Sequence, residues 1–110
     1  MAYDKKLAER IRVMLADEPN VSERTMFGGL AFLISGNMSV AARGRGDLLV
    51  RAQDEDIEQW VDGESVRPME MRGSPLRGWF IVALDVVKTE EGLQVWVDRG
   101  VAIARSLPAK

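Results

Sequence analysis

The sequence contains no cysteine and no histidine. Without cysteine there is no disulfide, no thiol nucleophile and no thiolate metal site; without histidine there is no imidazole base or ligand. These two absences remove most enzyme mechanisms and leave an enzyme only carboxylates or backbone groups to work with. No apolar run approaches the roughly 20 residues that span a bilayer. The opening MAYDKKLAER lacks the apolar core of a signal peptide. A cytoplasmic protein with no membrane role is expected, and no cofactor or metal is expected either. An excess of positive charge is also missing. The net charge is -2, which argues against direct nucleic-acid binding, because neutralising phosphates takes a surplus of lysine and arginine on at least one face.

What is present suits an ordinary soluble domain. Apolar residues make up 46% and charged residues 29% of 110, a balance that folds and a length that suits a single domain over 1–110. The charges are segregated along the chain. Six acids and no base lie in 54–64, whereas 43–51 and 67–77 each hold three arginines against one acid.

The periodicity predicts a helix over 4–16, with Asp4 as its N-cap and Leu7, Ile11, Met14 and Leu15 on one stripe. Pro19 and Asn20 end it. From Thr25 the period falls to two: Leu30, Phe32 and Ile34 alternate with Gly29, Ala31 and Leu33, SGN makes a turn, and Met38, Val40 and Ala42 resume. GRG at 44–46 is the next turn, and DLLVRA is a third strand. Asp54 caps a short helix, EDIEQWVD, with Ile57, Trp60 and Val61 inward and the acids outward. After a loop with Gly63 and Pro68, MEM is a short strand, RGSP a turn, and Trp79 to Leu84 a central strand buried on both faces. A final helix over about 89–107 carries Leu93, Trp96, Val97, Val101, Ala104 and Leu107 inward. Gly100 interrupts it at a cost of about 1 kcal/mol relative to alanine, which implies close approach to another backbone. The fold class is α+β, with an antiparallel sheet of about five strands packed by N-terminal and C-terminal helices and a short helix after the third strand.

Several short motifs invite chemical readings. Gly28-Gly29 precedes a strand and matches neither a Walker loop nor a dinucleotide fingerprint, so an architectural role is favoured. Gly44-x-Gly46 has leucine where a third glycine is required. Arg45-Gly46-Asp47 and the Arg-Gly alternation read best as a hairpin turn. Trp60, Trp79 and Trp96 sit in apolar runs and read as core anchors rather than base-stacking platforms. The six methionines could mark an adaptable groove, but Met14, Met26 and Met38 follow the core period. Arg43, Arg51 and Arg77, if strand pairing gathers them, would form a basic patch for a carboxylate, a phosphate or an acidic protein surface. The competing reading pairs them with the acids of 54–64 or leaves them solvated.

MAYDKKLAERIRVMLAD, MFGGLAFLISGNM, RPMEMRGSPLRGWFIV and WVDRGVAIARSLP, in that order, together resemble the N-terminal domain of the TfoX/Sxy family of bacterial competence regulators. The most specific marks are Met26-Phe27-Gly28-Gly29, Gly36-Asn37-Met38, Arg67-Pro68-Met69 and Gly78-Trp79. The resemblance implies an antiparallel sheet packed by terminal helices, and a structural signature in Met26, Phe27, Gly28, Gly29, Gly36, Asn37, Gly78 and Trp79. It also implies a place near competence regulation, where full-length members cooperate with the cyclic-AMP receptor protein and add a C-terminal helical domain. This chain, ending at Lys110, is expected to lack that domain. The expected function is a non-enzymatic regulatory domain acting through protein contacts, with the transcription machinery or a second copy of the chain as partner. Arg43, Arg45, Arg51, Arg67, Arg72 and Arg77 are the candidate contact surface. The alternative is a small-molecule or nucleotide-binding module using the same arginines.

Overall fold

The computed structural model of the protein describes residues 3–26, 28–53, 56–71 and 74–109. Helix α1 (Lys5–Met14) starts where the Asp4 carboxylate accepts the backbone N–H groups of Lys6 and Leu7, at 2.9 and 3.1 Å, satisfying two donors that a helix start leaves unpaired. After Pro19, Asn20 turns the chain with φ +63. Four strands then run as a meander: β1 (Val21–Met26), β2 (Gly29–Ile34), β3 (Asn37–Ala42) and β4 (Leu48–Arg51). Next come α2 (Asp56–Trp60), β5 (Val66–Met71), β6 (Ser74–Val82), α3 (Leu84–Val87) and α4 (Glu90–Ser106). All neighbouring strands are antiparallel, in the order β1-β2-β3-β4-β6-β5.

The architecture is the expected α+β arrangement with one more strand than expected. The addition is β1, VSERTM, whose four central residues are exposed at the sheet edge, so its side chains carry no apolar alternation. Counting it moves the inserted helix to a place after the fourth strand. Pro68, expected in a loop, lies within β5 opposite Phe80; β5 is the other edge, where a missing N–H disturbs no ladder. The expected strand from Trp79 to Leu84 is the end of the longer β6, which lies one place in from the edge. Leu84 has left the sheet and opens α3 at 50% exposure. The expected cap Asp54 lies outside the described residues, as do Phe27 and Arg72.

Two apolar layers flank the sheet. The larger joins Phe32, Val40, Leu48, Val50, Phe80 and Val82 to α1, α3 and α4, and Trp60 and Val61 pack against it. The smaller holds Ala31, Leu33, Ala41, Leu49 and Met69, with Met26, Met38, Trp79 and Ile81 packed around it. No described helix residue belongs to the second layer.

The glycines explain how closely these parts fit. Gly28 has φ +71 at the β1–β2 turn, and a Cβ on Gly29 would lie 2.4 Å from the Ala42 carbonyl oxygen. One glycine supplies a left-handed backbone and the other a close strand contact. Gly100 supplies the close contact of α4. A Cβ there would lie 2.5 Å from the Ser39 carbonyl oxygen and 2.7 Å from Val40 Cγ1. Beneath it the register shifts between Phe32 and Leu33, leaving Ser39 as the extra residue of a bulge, and its buried hydroxyl donates to the Phe32 carbonyl at 2.8 Å.

Candidate functional site: the sheet face without helices

Strand register determines which side chains share a face. Alternation places Arg24, Ala31, Ala41, Leu49, Ile81 and Arg67 in one cross-strand row that runs from edge to edge of the sheet. At about 4.8 Å per strand the row is about 24 Å long. An arginine stands at each end, and only small or aliphatic residues lie between. The next row places Arg51 opposite Trp79. The Arg51 guanidinium lies 5.7 Å from the Trp79 ring centroid, within reach of the attraction between a cation and an aromatic face. Trp79 and Ile81 are half-buried, and Arg24 and Arg67 are exposed.

The charge of the described strand side chains on this face is of one sign. Among the described strand side chains the one carboxylate is Glu23, and it points to the helix side. There it binds Arg12 through two hydrogen bonds, of 2.7 and 2.9 Å, that hold its carboxyl below the usual glutamate range. Among the described residues Arg24, Arg51 and Arg67 have no ion-pair partner. Asp62, close to Arg67 in sequence, is committed elsewhere. Its carboxylate accepts the N–H groups of Val66 and Glu64 at 2.9 and 2.8 Å, which depress its pKa. A wide depression of about 380 Å³ lies against Gly63, Arg67, Pro68 and Ile81.

Of the six arginines expected to form a contact surface, the structure describes the side chains of four. Arg51 and Arg67 lie on this face, on either side of β6. Arg43 stands just past β3 and binds Asp47 across the turn at 3.2 Å, a partner outside the 54–64 acids. Arg45 is exposed at the tip of that turn. Arg77 belongs to β6, but its side chain, like Arg72, lies outside the described residues. Arg24 joins the face through β1, a strand whose exposed side chains give the sequence no apolar period. The strand's one mark in the sequence is the pair of turn signals that bracket it, Pro19-Asn20 and Gly28-Gly29.

The signature positions build turns and supports. Gly36, φ +85, follows Ser35, φ +50, in the two-residue β2–β3 turn. Asn37, 1% exposed, donates from Nδ2 to the Pro108 carbonyl at 2.9 Å and so ties that turn to the chain beyond α4. Gly78, φ +88, accepts the Ala52 N–H at 2.8 Å beside Trp79.

The chain that builds this face matches a known family. The model of the TfoX N-terminal domain matches residues 13–104, from within α1 to near the end of α4. The chain belongs to the TfoX N-terminal domain family. Comparison with curated proteins finds no match. Membership supports a regulatory, competence-related domain at the level of the family, which is not a known enzyme family. Among the described residues no helix is long and apolar enough to cross a membrane.

Proposed function

We propose that this TfoX N-terminal domain is a non-enzymatic regulatory domain of the bacterial cytoplasm. It acts by protein contact through its helix-free sheet face, in or near transcriptional control. The observation that carries the reading is the pairing of half-buried Arg51 and exposed Arg67, which have no carboxylate partner among the described residues, with half-buried Trp79 and Ile81 on one face. Protein interfaces combine those features, with arginine and aromatic side chains enriched at their cores. A small-molecule module would set two or more of the arginines in one deep pocket, whereas the described lining of the depression beside Ile81 includes one, Arg67.

The test is capture of the tagged protein from its own cells at low salt, followed by mass spectrometry. A component of the transcription machinery, recovered by the native chain and lost with the Arg51→Gln/Arg67→Gln double variant, is the expected result. Equal recovery by both chains would remove the face from the reading. Recovery of the bait alone would overturn protein contact as the mode of action.

A further inference from the structure

We infer that the partner presents an amphipathic helix whose carboxylates, seven residues apart, bracket an apolar pair; the inference rests on the protein-contact reading above. Arg51 and Arg67 are paired with Trp79 and Ile81 of β6 from opposite sides. They are therefore separated by two strand spacings and two residues along the strand, about 12 Å between Cα atoms. Positions i and i+7 of a helix are about 10.5 Å apart on one side, with i+3 and i+4 between them. Arginine side chains span the small difference. Such a helix, laid diagonally over β6, would set its two carboxylates on the two guanidinium groups and its apolar pair on Trp79 and Ile81.

Three features select this occupant. Charge complementarity comes first: the described strand side chains of this face include arginines and no carboxylate, and the planar guanidinium grips a carboxylate through two parallel hydrogen bonds. Backbone satisfaction comes second. This is a sheet face and not an edge, so an extended peptide lying on it would leave its N–H and C=O groups against apolar side chains, whereas a helix satisfies its own. The third is the apolar ground between the cations. Ile81 and Trp79 offer a partner stripe something to bury, while a nucleic-acid backbone would find few donors between the two arginines.

The experiment uses the full chain, isotope-labelled, and follows arginine Nε–H, Trp79 indole and Ile81 amide resonances by NMR. The probe is a capped peptide of about 20 residues, long enough to hold a helix, with glutamates at i and i+7 and leucines at i+3 and i+4. A second peptide carries glutamine at both glutamate positions, and a single-stranded oligothymidine is the third probe. The expected result is that the acidic peptide moves the resonances of Arg51, Arg67, Trp79 and Ile81. The glutamine peptide should bind at least about fivefold more weakly, and Arg51→Gln and Arg67→Gln should each weaken the acidic peptide about threefold, a difference that shrinks as salt is raised. Equal affinity of the two peptides, shifts confined to other surfaces, or stronger binding of the oligonucleotide would overturn the inference. A cellular protein captured through Arg51 and Arg67 without acidic-peptide binding would overturn the helix and keep protein contact. Peptide binding with no captured protein would keep the recognition chemistry and overturn the proposed function.

Discussion

The two faces of the sheet treat arginine in opposite ways. On the helix side the guanidinium groups of Arg10, Arg12, Arg99 and Arg105 are committed. Arg10 donates to the carbonyls of Val87 and Thr89 at 2.9 and 3.2 Å, pinning α1 to the α3–α4 junction. Arg12 binds Glu9 and Glu23, Arg105 binds Glu18, and Arg99 lies 4.5 and 4.8 Å from the rings of Trp96 and Trp60. On the other side Arg24 and Arg67 stand exposed, and Arg51 leans on Trp79. Among the described residues, the arginines of the helix side are held by the chain itself, Arg24 and Arg67 stand without an ion-pair partner on the other face, and Arg45 is exposed at a turn. The contrast separates stability from recognition, and it can be broken one residue at a time.

The largest effects belong to the layers. Phe32 and Leu33 are adjacent in β2 and face opposite ways, 0% and 5% exposed. Phe32→Ala should cost about 3–5 kcal/mol, and Leu33→Ala about 2 kcal/mol, the low end for its type, because flexible Met26 and Met38 can close over the smaller cavity. Denaturant melts of the pair would measure the gap; equal losses would mean that the second layer is as tightly built as the first. Gly100→Ala should cost about 1–3 kcal/mol even though alanine favours helix, since the added methyl meets a strand carbonyl that has no room to yield. A raised melting temperature in that variant would show that α4 can lift from the bulge.

Smaller effects test the committed arginines. Arg10→Met removes two charge-assisted hydrogen bonds and should cost about 1–2 kcal/mol, read as a loss of hydrogen-exchange protection in α3. Glu23→Gln should cost at most about 1 kcal/mol at neutral pH, because both partners are more than a third exposed, 39% and 35%. The folded carboxyl is depressed by Arg12. Its stabilisation is therefore full above the ordinary glutamate value of about 4.3 and is lost as pH falls through the lower folded value. Native and variant melts should converge once pH has fallen below that folded value. A difference that persists there would place the effect in packing.

Much of this arrangement was legible in the sequence where side chains report their own burial. Asp4 before an apolar stripe named a cap, Leu30, Phe32 and Ile34 named a strand, and Gly100 inside a helix named a close contact, because each rests on local chemistry. What escaped depends on partners far along the chain. β1 was invisible because an edge strand with four exposed residues lacks the apolar alternation by which strands are recognised. Pro68 looked like loop because the tolerance of an edge strand for proline is a property of the sheet, not of the dipeptide. The row from Arg24 to Arg67 could not be seen at all, since it uses one residue from each of six strands and depends on five registers. The arginine patch expected from sequence rests on strand pairing, and the described members stand in different settings: Arg43 at a turn with Asp47, Arg45 at the tip of that turn, and Arg51 and Arg67 on the face without helices.

The smallest predicted change is the most discriminating. Arg67→Gln should alter stability by no more than about 0.5 kcal/mol, the range of surface substitutions away from special features. The side chain is exposed and has no ion-pair partner among the described residues, and Ile81 beside it keeps its packing in the second layer. Arg10→Met changes the same residue type on the other face and should lose several times as much. Matched urea titrations of the two variants would make the comparison directly, with the slope m confirming that both unfold the same surface. A loss at Arg67 as large as that at Arg10 would mean that the chain does saturate this guanidinium, and the case for an outside partner would fall with it. A silent Arg67→Gln that nonetheless weakens partner capture would show a cation retained for contact alone.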